Sequence, residues 1–534
     1  MALGELLSSA SSAQVGAIVG LLAAYTLYGA LWRLYLSPIA HIPGPRLAAL
    51  TWWYEFYYDI VLGGQYVFKM VDLHKQYGPI IRINPYEVHI RDPDFFTRLY
   101  PTSKNHRRDR WPFFTRQFGA DGSGIGTVDH RLHKLRRAAL NPFFSLQSVR
   151  ALQPVLEERV DALLARLRAE GLHRREINII YPFSAFTNDV INSYAFARHD
   201  DLLASPTYGR HVTADLLAGT HSGKTIQHLP LLLPLIAALP ARVASALVPG
   251  WAGFLAMKRT IAAQIADIQR TPRAEWELDA QHPTIFHALL DSPLLPPGEK
   301  TLRRLAHEGQ VLVQAGTLTA SWTLAVATFH LLDQPAVLGR LRDELERAVP
   351  DPARVVGLAE LDQLPYLRAV VKETLRHSLG ASGRSARVCP DERLVFVEKG
   401  GGRRWVIPEG VPVGMTGFMT VNDEGIFPEP GRFRPERWLE GTEEERRELE
   451  RYWTVWGGGL RMCLGMWLAR AEVTLALAKL WRVWGGEERR KGDVGRLRLG
   501  EGVEARDARM AADFFIPIPW KGTRGVRVVV ETFE

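Results

Sequence analysis

Residues Ala13 to Leu31 read AQVGAIVGLLAAYTLYGAL, a run that no charge interrupts. As a helix it rises about 28 Å, close to the hydrocarbon thickness of a bilayer. Trp32, Arg33 and Tyr35 follow, the composition of a membrane–water interface. Only Glu5 is charged before the run, whereas Arg33 and Arg46 follow it, so the positive-inside rule places the remainder on the cytoplasmic side. A cleaved signal peptide has a positive leading region and a shorter apolar stretch, and this segment has neither. Ser37 to Pro45 holds three prolines and a glycine, which cannot continue a helix and form a stiff elbow. The expected organisation is a short lumenal terminus over 1–12, a transmembrane anchor over 13–36, the elbow over 37–46, and one large domain over 47–534.

Hydrophobic residues make up 46% and charged residues 23% of the 534, ordinary globular usage that excludes a disordered, collagen-like or coiled-coil chain. The formal charge of +8 favours contact with acidic lipid or protein surfaces. Two cysteines exclude a disulfide framework and a Cys-rich zinc module. No basic–aromatic interleaving suggests nucleic acid. Gly219 to Thr225 is one residue too short for a phosphate loop, and no strand precedes it.

Gly78 to Pro93 alternates around Asn84-Pro85 and predicts a hairpin, as do residues 393–415 around Gly400-Gly401-Gly402. Between Val128 and about Asp333 the apolar spacing is mostly helical. The tail after Phe514 looks like strands. The fold class is therefore mainly α with small β-sheets at the edges. Residues 229–251 are very apolar but broken by prolines, which fits either core or a surface element dipping into the membrane.

The most informative segment is Trp456-Gly-Gly-Gly-Leu-Arg-Met-Cys-Leu-Gly465, followed by a helical run. A lone cysteine is usually a small buried hydrophobe. Here Gly457 to Gly459 allow a tight turn, and a helix N-terminus facing Cys463 should lower its thiol pKa, giving a nucleophile or a metal ligand. The pattern Gly459-x-Arg461-x-Cys463-x-Gly465 resembles the haem-binding loop of the cytochrome P-450 family. There the cysteine thiolate is the axial ligand of haem b and favours O–O cleavage. The resemblance implies that Arg461 faces a haem propionate and that Trp456, where the family has Phe, covers the proximal face.

Further motifs follow in the family's order. Glu373-x-x-Arg376 shares a helix face, and with Arg437 of Phe433-Arg-Pro-Glu-Arg437-Trp438 the resemblance implies a buried ionic triad. Arg387, after Arg384, is placed at a propionate, with Cys389 a buried strand residue. Arg137, with His133 in place of the usual Trp, resembles the family's W-x-x-x-R helix, and both would donate to propionates, while Arg131, Lys134 and Arg136 fit a solvated basic face. Ala315 and Gly316 would let a flat cofactor and O₂ approach the helix Leu302–Leu332, and Thr319 would be the oxygen-activation threonine. The family's acid before that threonine is Leu318 here, which leaves Gln314, Thr317 or water as substitutes.

The resemblance covers nearly the whole chain and looks closest to fungal secondary-metabolism members such as trichodiene oxygenase. It implies the P-450 fold and a monooxygenase of the endoplasmic reticulum membrane, its catalytic domain cytosolic. Electrons would come from an NADPH–cytochrome reductase docking on the basic side around Arg461, Arg136 and Arg137. The substrate would be a lipophilic terpenoid or polyketide, in a pocket lined by Phe113, Phe114 and Phe118. Leu318 also fits a haem-thiolate isomerase or dehydratase needing no standard proton relay. A non-catalytic haem-binding scaffold is the third reading.

Overall fold

The computed structural model describes residues 12–103, 105–198, 200–271 and 284–533. The expected lumenal terminus lies outside the described residues up to residue 11. Helix α1 (Ser12–Leu31) runs on through a π-turn to Leu36, and the apolar span Gln14–Leu36 is nowhere buried in the protein. The elbow is fastened to the body on both sides: Arg33 Nη1 donates to the carbonyl of Leu50 at 2.6 Å, and Arg82 Nη1 donates to the carbonyl of Arg33 at 2.6 Å.

The helices that position the site are α2 (His130–Leu140), α3 (Ile180–Phe196), α4 (Arg210–His228), α5 (Pro249–Arg270), α6 (Leu302–Asp333), α7 (Pro365–Ser378) and α8 (Met466–Val483). Helix α6 begins at Thr301, whose hydroxyl accepts the Arg304 N–H, and crosses the middle of the molecule. It packs along α3, which is buried on almost every face. The polar groups in that contact are paired: Thr187 Oγ1 donates to the Thr317 carbonyl at 3.0 Å, and Asn188 Nδ2 donates to Thr317 Oγ1 at 3.0 Å. Thr317 is therefore consumed by helix packing and does not substitute for a missing acid.

The strands are β1 (Ile80–Arg82), β2 (Val88–Ile90), β3 (Asp109–Arg110), β4 (Glu176–Asn178), β5 (Arg387–Val388), β6 (Leu394–Val397), β7 (Arg404–Ile407), β8 (Pro412–Gly414), β9 (Trp484–Gly485), β10 (Gly495–Leu499), β11 (Ala512–Phe514), β12 (Ile516–Ile518) and β13 (Arg527–Thr532). The sheet that touches the site has the order β1-β2-β8-β5-β3. Both expected hairpins form, β1–β2 and β6–β7, each antiparallel. Asn84 makes the first turn, its side-chain oxygen accepting the N–H groups of Tyr86 and Glu87 at 3.0 and 2.8 Å. The tail forms strands β11 to β13 as expected.

The segment 229–251 is not core. It forms the short helices Leu232–Ala237 and Ala241–Leu247, with Leu231, Leu235 and Leu247 each 64–73% exposed. Ile236, Ala244 and Trp251 turn inward, in a small cluster with Ile226 against which Leu232, Leu233 and Val248 also pack.

Gly316 has a packing role that the sequence did not disclose. A Cβ there would lie 2.9 Å from Ile191 Cγ1 and 3.1 Å from Ile191 Cβ, so the glycine lets α6 approach α3. Alanine gains about 1 kcal/mol of helix propensity but overpacks a tight contact at about 1–3 kcal/mol. We expect Gly316→Ala to destabilise the protein by about 1 kcal/mol net in denaturant titration; a gain in stability would contradict the close-approach role.

Candidate active site

The cysteine loop is closed by its own backbone. Gly457 and Gly459 sit at φ +69° and +67°, and the Cys463 N–H donates to the Trp456 carbonyl at 2.8 Å. At Gly459 a Cβ would meet the carbonyl oxygens of Pro101 and Tyr100 at 2.7 and 2.8 Å, so this glycine is required for close approach and does not itself line the cavity. Helix α8 starts just after Gly465. Burial pushes the Cys463 thiol up; the Gly465 N–H and Arg137 pull it down without reversing the shift. Cys463 is nonetheless exposed to the open cavity, and a metal bound there would favour its thiolate further.

Cys463 opens onto a cavity of about 380 Å³ whose far wall is α6. Ala315, Gly316, Leu318 and Thr319 line that wall. Thr319 Oγ1 donates to the Ala315 carbonyl at 2.8 Å, the expected back-bond to the residue four earlier. Gln314 also lines the cavity, its Oε1 accepting from Gln310 at 3.3 Å. Phe118 lines it, but Phe113 and Phe114 do not.

One side of the cavity is rimmed by cations. Strand pairing sets Arg110 of β3 directly opposite Arg387 of β5. Arg461 Nη1 donates to the Thr127 carbonyl at 2.8 Å, and its Nη2 donates to those of Val128 and Asp129 at 2.9 and 3.2 Å. Arg137 Nη1 donates to the Met462 carbonyl at 2.8 Å, tying α2 to the cysteine loop. His133 faces the same space; burial and the neighbouring Arg461, Arg110, Arg137 and Arg387 hold it down to about 2, so it is a neutral donor. Burial and Arg387 likewise hold Arg461 down to about 9, and burial pushes Arg110 far down. Among the described residues, no carboxylate forms an ion pair with Arg110, Arg137, Arg387 or Arg461. Arg110 Nε and Nη1 and Arg461 Nε are buried without a partner.

Behind the cysteine loop the triad forms as expected. Glu373 Oε1 accepts from Arg376 Nη2 at 2.8 Å, Arg437 Nε at 3.0 Å and the Arg434 N–H at 3.0 Å. Its Oε2 accepts from Arg376 Nε at 3.0 Å and Trp438 Nε1 at 2.9 Å. Burial works to raise this carboxyl, yet His377 and Arg376 overcome it and hold it well below the usual range.

A model of the cytochrome P-450 family matches residues 43–484. The chain belongs to the cytochrome P-450 family. It is 41% identical over 507 residues to the cytochrome P-450 monooxygenase tpcC of Cochliobolus heterostrophus, with 95% of each chain covered. It is 39% identical over 520 residues to the monooxygenase astB of Talaromyces wortmannii, covering 96% of this chain and 97% of the relative. To the N-acetyltryptophan 6-hydroxylase ivoC of Emericella nidulans it is 38% identical over 509 residues, with 95% of each covered. It is an oxidoreductase of the monooxygenase class.

Membership of the P-450 family implies haem with an axial thiolate, and the residues present fit it. Cys463 offers sulfur, Ala315 and Gly316 a wall of small residues, and the orphaned guanidinium nitrogens a place for two carboxylates. His133, Arg137, Arg387 and Arg461 are brought together as expected. Arg110 joins them and was missed, because a lone arginine on a two-residue strand leaves no periodic or motif signal. Arg136 is corrected: it is buried, its Nε donating to Glu299 at 2.7 Å and its Nη1 to Thr127 Oγ1 at 2.7 Å. Arg136 and Arg461 are therefore interior and unavailable to a docking partner. Cys389 is buried as expected, its thiol pushed up to about 11 by burial.

Glu472 of α8 was also missed. It is buried in the cavity wall, its Oε1 has no hydrogen-bond partner, and burial alone raises its carboxyl well above the usual range. A raised acid is more protonated folded than unfolded, so the stability tied to it is complete below the unfolded carboxyl range and drains as pH rises. Between pH 5 and 8, Glu472→Gln should lose less thermal stability than the parent; parallel losses would place the carboxyl outside this account. Arg110→Leu should stabilise the haem-free protein by about 1–3 kcal/mol by removing an unpaired buried cation, yet lower the haem-to-protein ratio after purification. Unchanged haem retention would detach Arg110 from the cofactor.

Proposed function

We propose that this chain is a membrane-anchored monooxygenase that inserts one oxygen atom from O₂ into a lipophilic small molecule of secondary metabolism, with electrons from an NADPH–cytochrome reductase. The observation that carries this is the single cavity with Cys463 on one wall and Thr319 on the facing helix, rimmed by unpaired arginines. When bound there, haem supplies the iron at which oxygen is activated. Cys463 Sγ would hold it, and His133, Arg110, Arg137, Arg387 and Arg461 would orient its carboxylates. Thr319 keeps its hydroxyl at the cavity through the Ala315 bond, on the wall where Leu318 replaces an acid. The hydroxylase among the relatives favours oxygen insertion over the redox-neutral isomerase or dehydratase reading.

The substrate class of terpenoid or polyketide is widened by the relative named for N-acetyltryptophan, and an aromatic amino-acid derivative fits the Phe118, Phe254 and Phe515 walls equally well. We further propose that 1–12 is lumenal, 13–36 spans the endoplasmic reticulum membrane, 37–46 is the elbow and 47–534 is the cytosolic catalytic domain. Exposed Leu231, Leu235 and Leu247 support a second contact with the same bilayer, beside exposed Trp53 and Val61.

The test uses full-length protein reconstituted with a reductase and NADPH. Compounds that displace iron-bound water are first found by spin-state change, then turned over under ¹⁸O₂. One labelled oxygen in the product, only with NADPH and reductase present, is expected. Product formed without NADPH, or labelled from solvent water instead, would contradict the proposal.

A further inference from the structure

Phe113, expected in the haem cavity, turns instead to a second cavity of about 460 Å³ between the start of the domain at Trp52 to Phe56, the segment after Trp111 and the end of α4. That volume is typical of a small-molecule site. We propose that this cavity binds a lipophilic aromatic anion, and that it is a site separate from the haem cavity. The inference goes beyond the proposed reaction and does not depend on it.

The walls are ring faces. Trp52 stacks on Trp111 with centroids 5.6 Å apart at 22°, and its centroid lies 4.3 Å from that of Phe113. Phe56 and Phe113 meet His228 edge-on at 5.5 and 5.4 Å. Such faces accept a planar ring by offset stacking or edge contact, and they suit it better than a flexible acyl chain, which has no quadrupole to match.

The charge on the rim is positive. Arg116 lines the cavity and is exposed, and among the described residues no carboxylate pairs with it. His228 is drawn away by Asp59, its Nε2 lying 3.5 Å from Asp59 Oδ2. Arg116 is thus the group left to meet a ligand, and a guanidinium selects a carboxylate.

The two cavities are walled apart. Lys224 Nζ lies 3.3 Å from Asp59 Oδ2 and 3.6 Å from Asp513 Oδ2. Arg384 Nε donates to Glu87 at 3.0 Å, and Arg384 also pairs with Glu55. This buried cluster, with Trp111, Phe114 and Gln117, encloses a small void of about 10 Å³. The two cavities share no lining residue, so a ligand in this one sits apart from the haem cavity.

The probe is anthracene-2-carboxylate, read by energy transfer from tryptophan in the full-length haem protein in detergent, with the haem cavity filled by clotrimazole. Saturable transfer that persists with the azole is expected, and the matching carboxamide should bind roughly fivefold more weakly, a charge-assisted bond discounted for exposure. Arg116→Gln should bring the acid to the amide's affinity while the CO spectrum of the haem stays unchanged. Displacement by the azole, or equal binding of acid and amide to the parent protein, would overturn the proposal. So would an absence of transfer combined with phosphatidylserine-liposome binding that Arg116→Gln abolishes, which assigns the cation to a lipid headgroup.

Discussion

Around one cavity Arg137 is half-buried and Arg110, Arg387 and Arg461 are buried, and among the described residues no carboxylate forms an ion pair with any of them. Each pays a desolvation penalty of several kcal/mol unless it is compensated. Backbone carbonyls compensate part of it: Arg461 takes three from residues 127–129, and Arg137 takes that of Met462. These bonds also stitch the start of α2 to the loop carrying Cys463. The remainder, including the like charges set opposite each other on β3 and β5, is left for a dianionic partner. A haem with two propionates is such a partner, so cofactor binding and the shape of the cysteine loop are one electrostatic problem.

The triad solves the opposite problem. Glu373 is as deeply buried as the rim cations, but its oxygens accept from Arg376, Arg437, Trp438 and the Arg434 backbone. It is complete without any ligand. One buried ionic cluster therefore fixes the geometry of the segments around residues 373 and 437 in advance, while the other waits for the cofactor that gives the chain its chemistry.

Much of this was legible in local sequence. The glycines before Cys463, the Asn84 turn and the Glu373–Arg376 spacing each encode short-range geometry, and each formed. What escaped reading depends on partners far along the chain. Arg136 reads as a solvated helix face until Glu299, on another segment, is folded against it. Phe113 and Phe118 lie on one short segment, yet they line different cavities, a division that only the folded chain sets. Glu472 sits in an unremarkable helical pattern, and only enclosure shows that its carboxyl stands alone.

The central claim is that the sulfur of Cys463 ligates haem iron within the ring of arginines. Reduced full-length protein under carbon monoxide reports this directly through its Soret band. A band red-shifted to the position characteristic of a thiolate ligand, and lost in Cys463→Ala, is predicted. An unshifted band in the parent protein, or a red-shifted one that survives the substitution, would contradict the account.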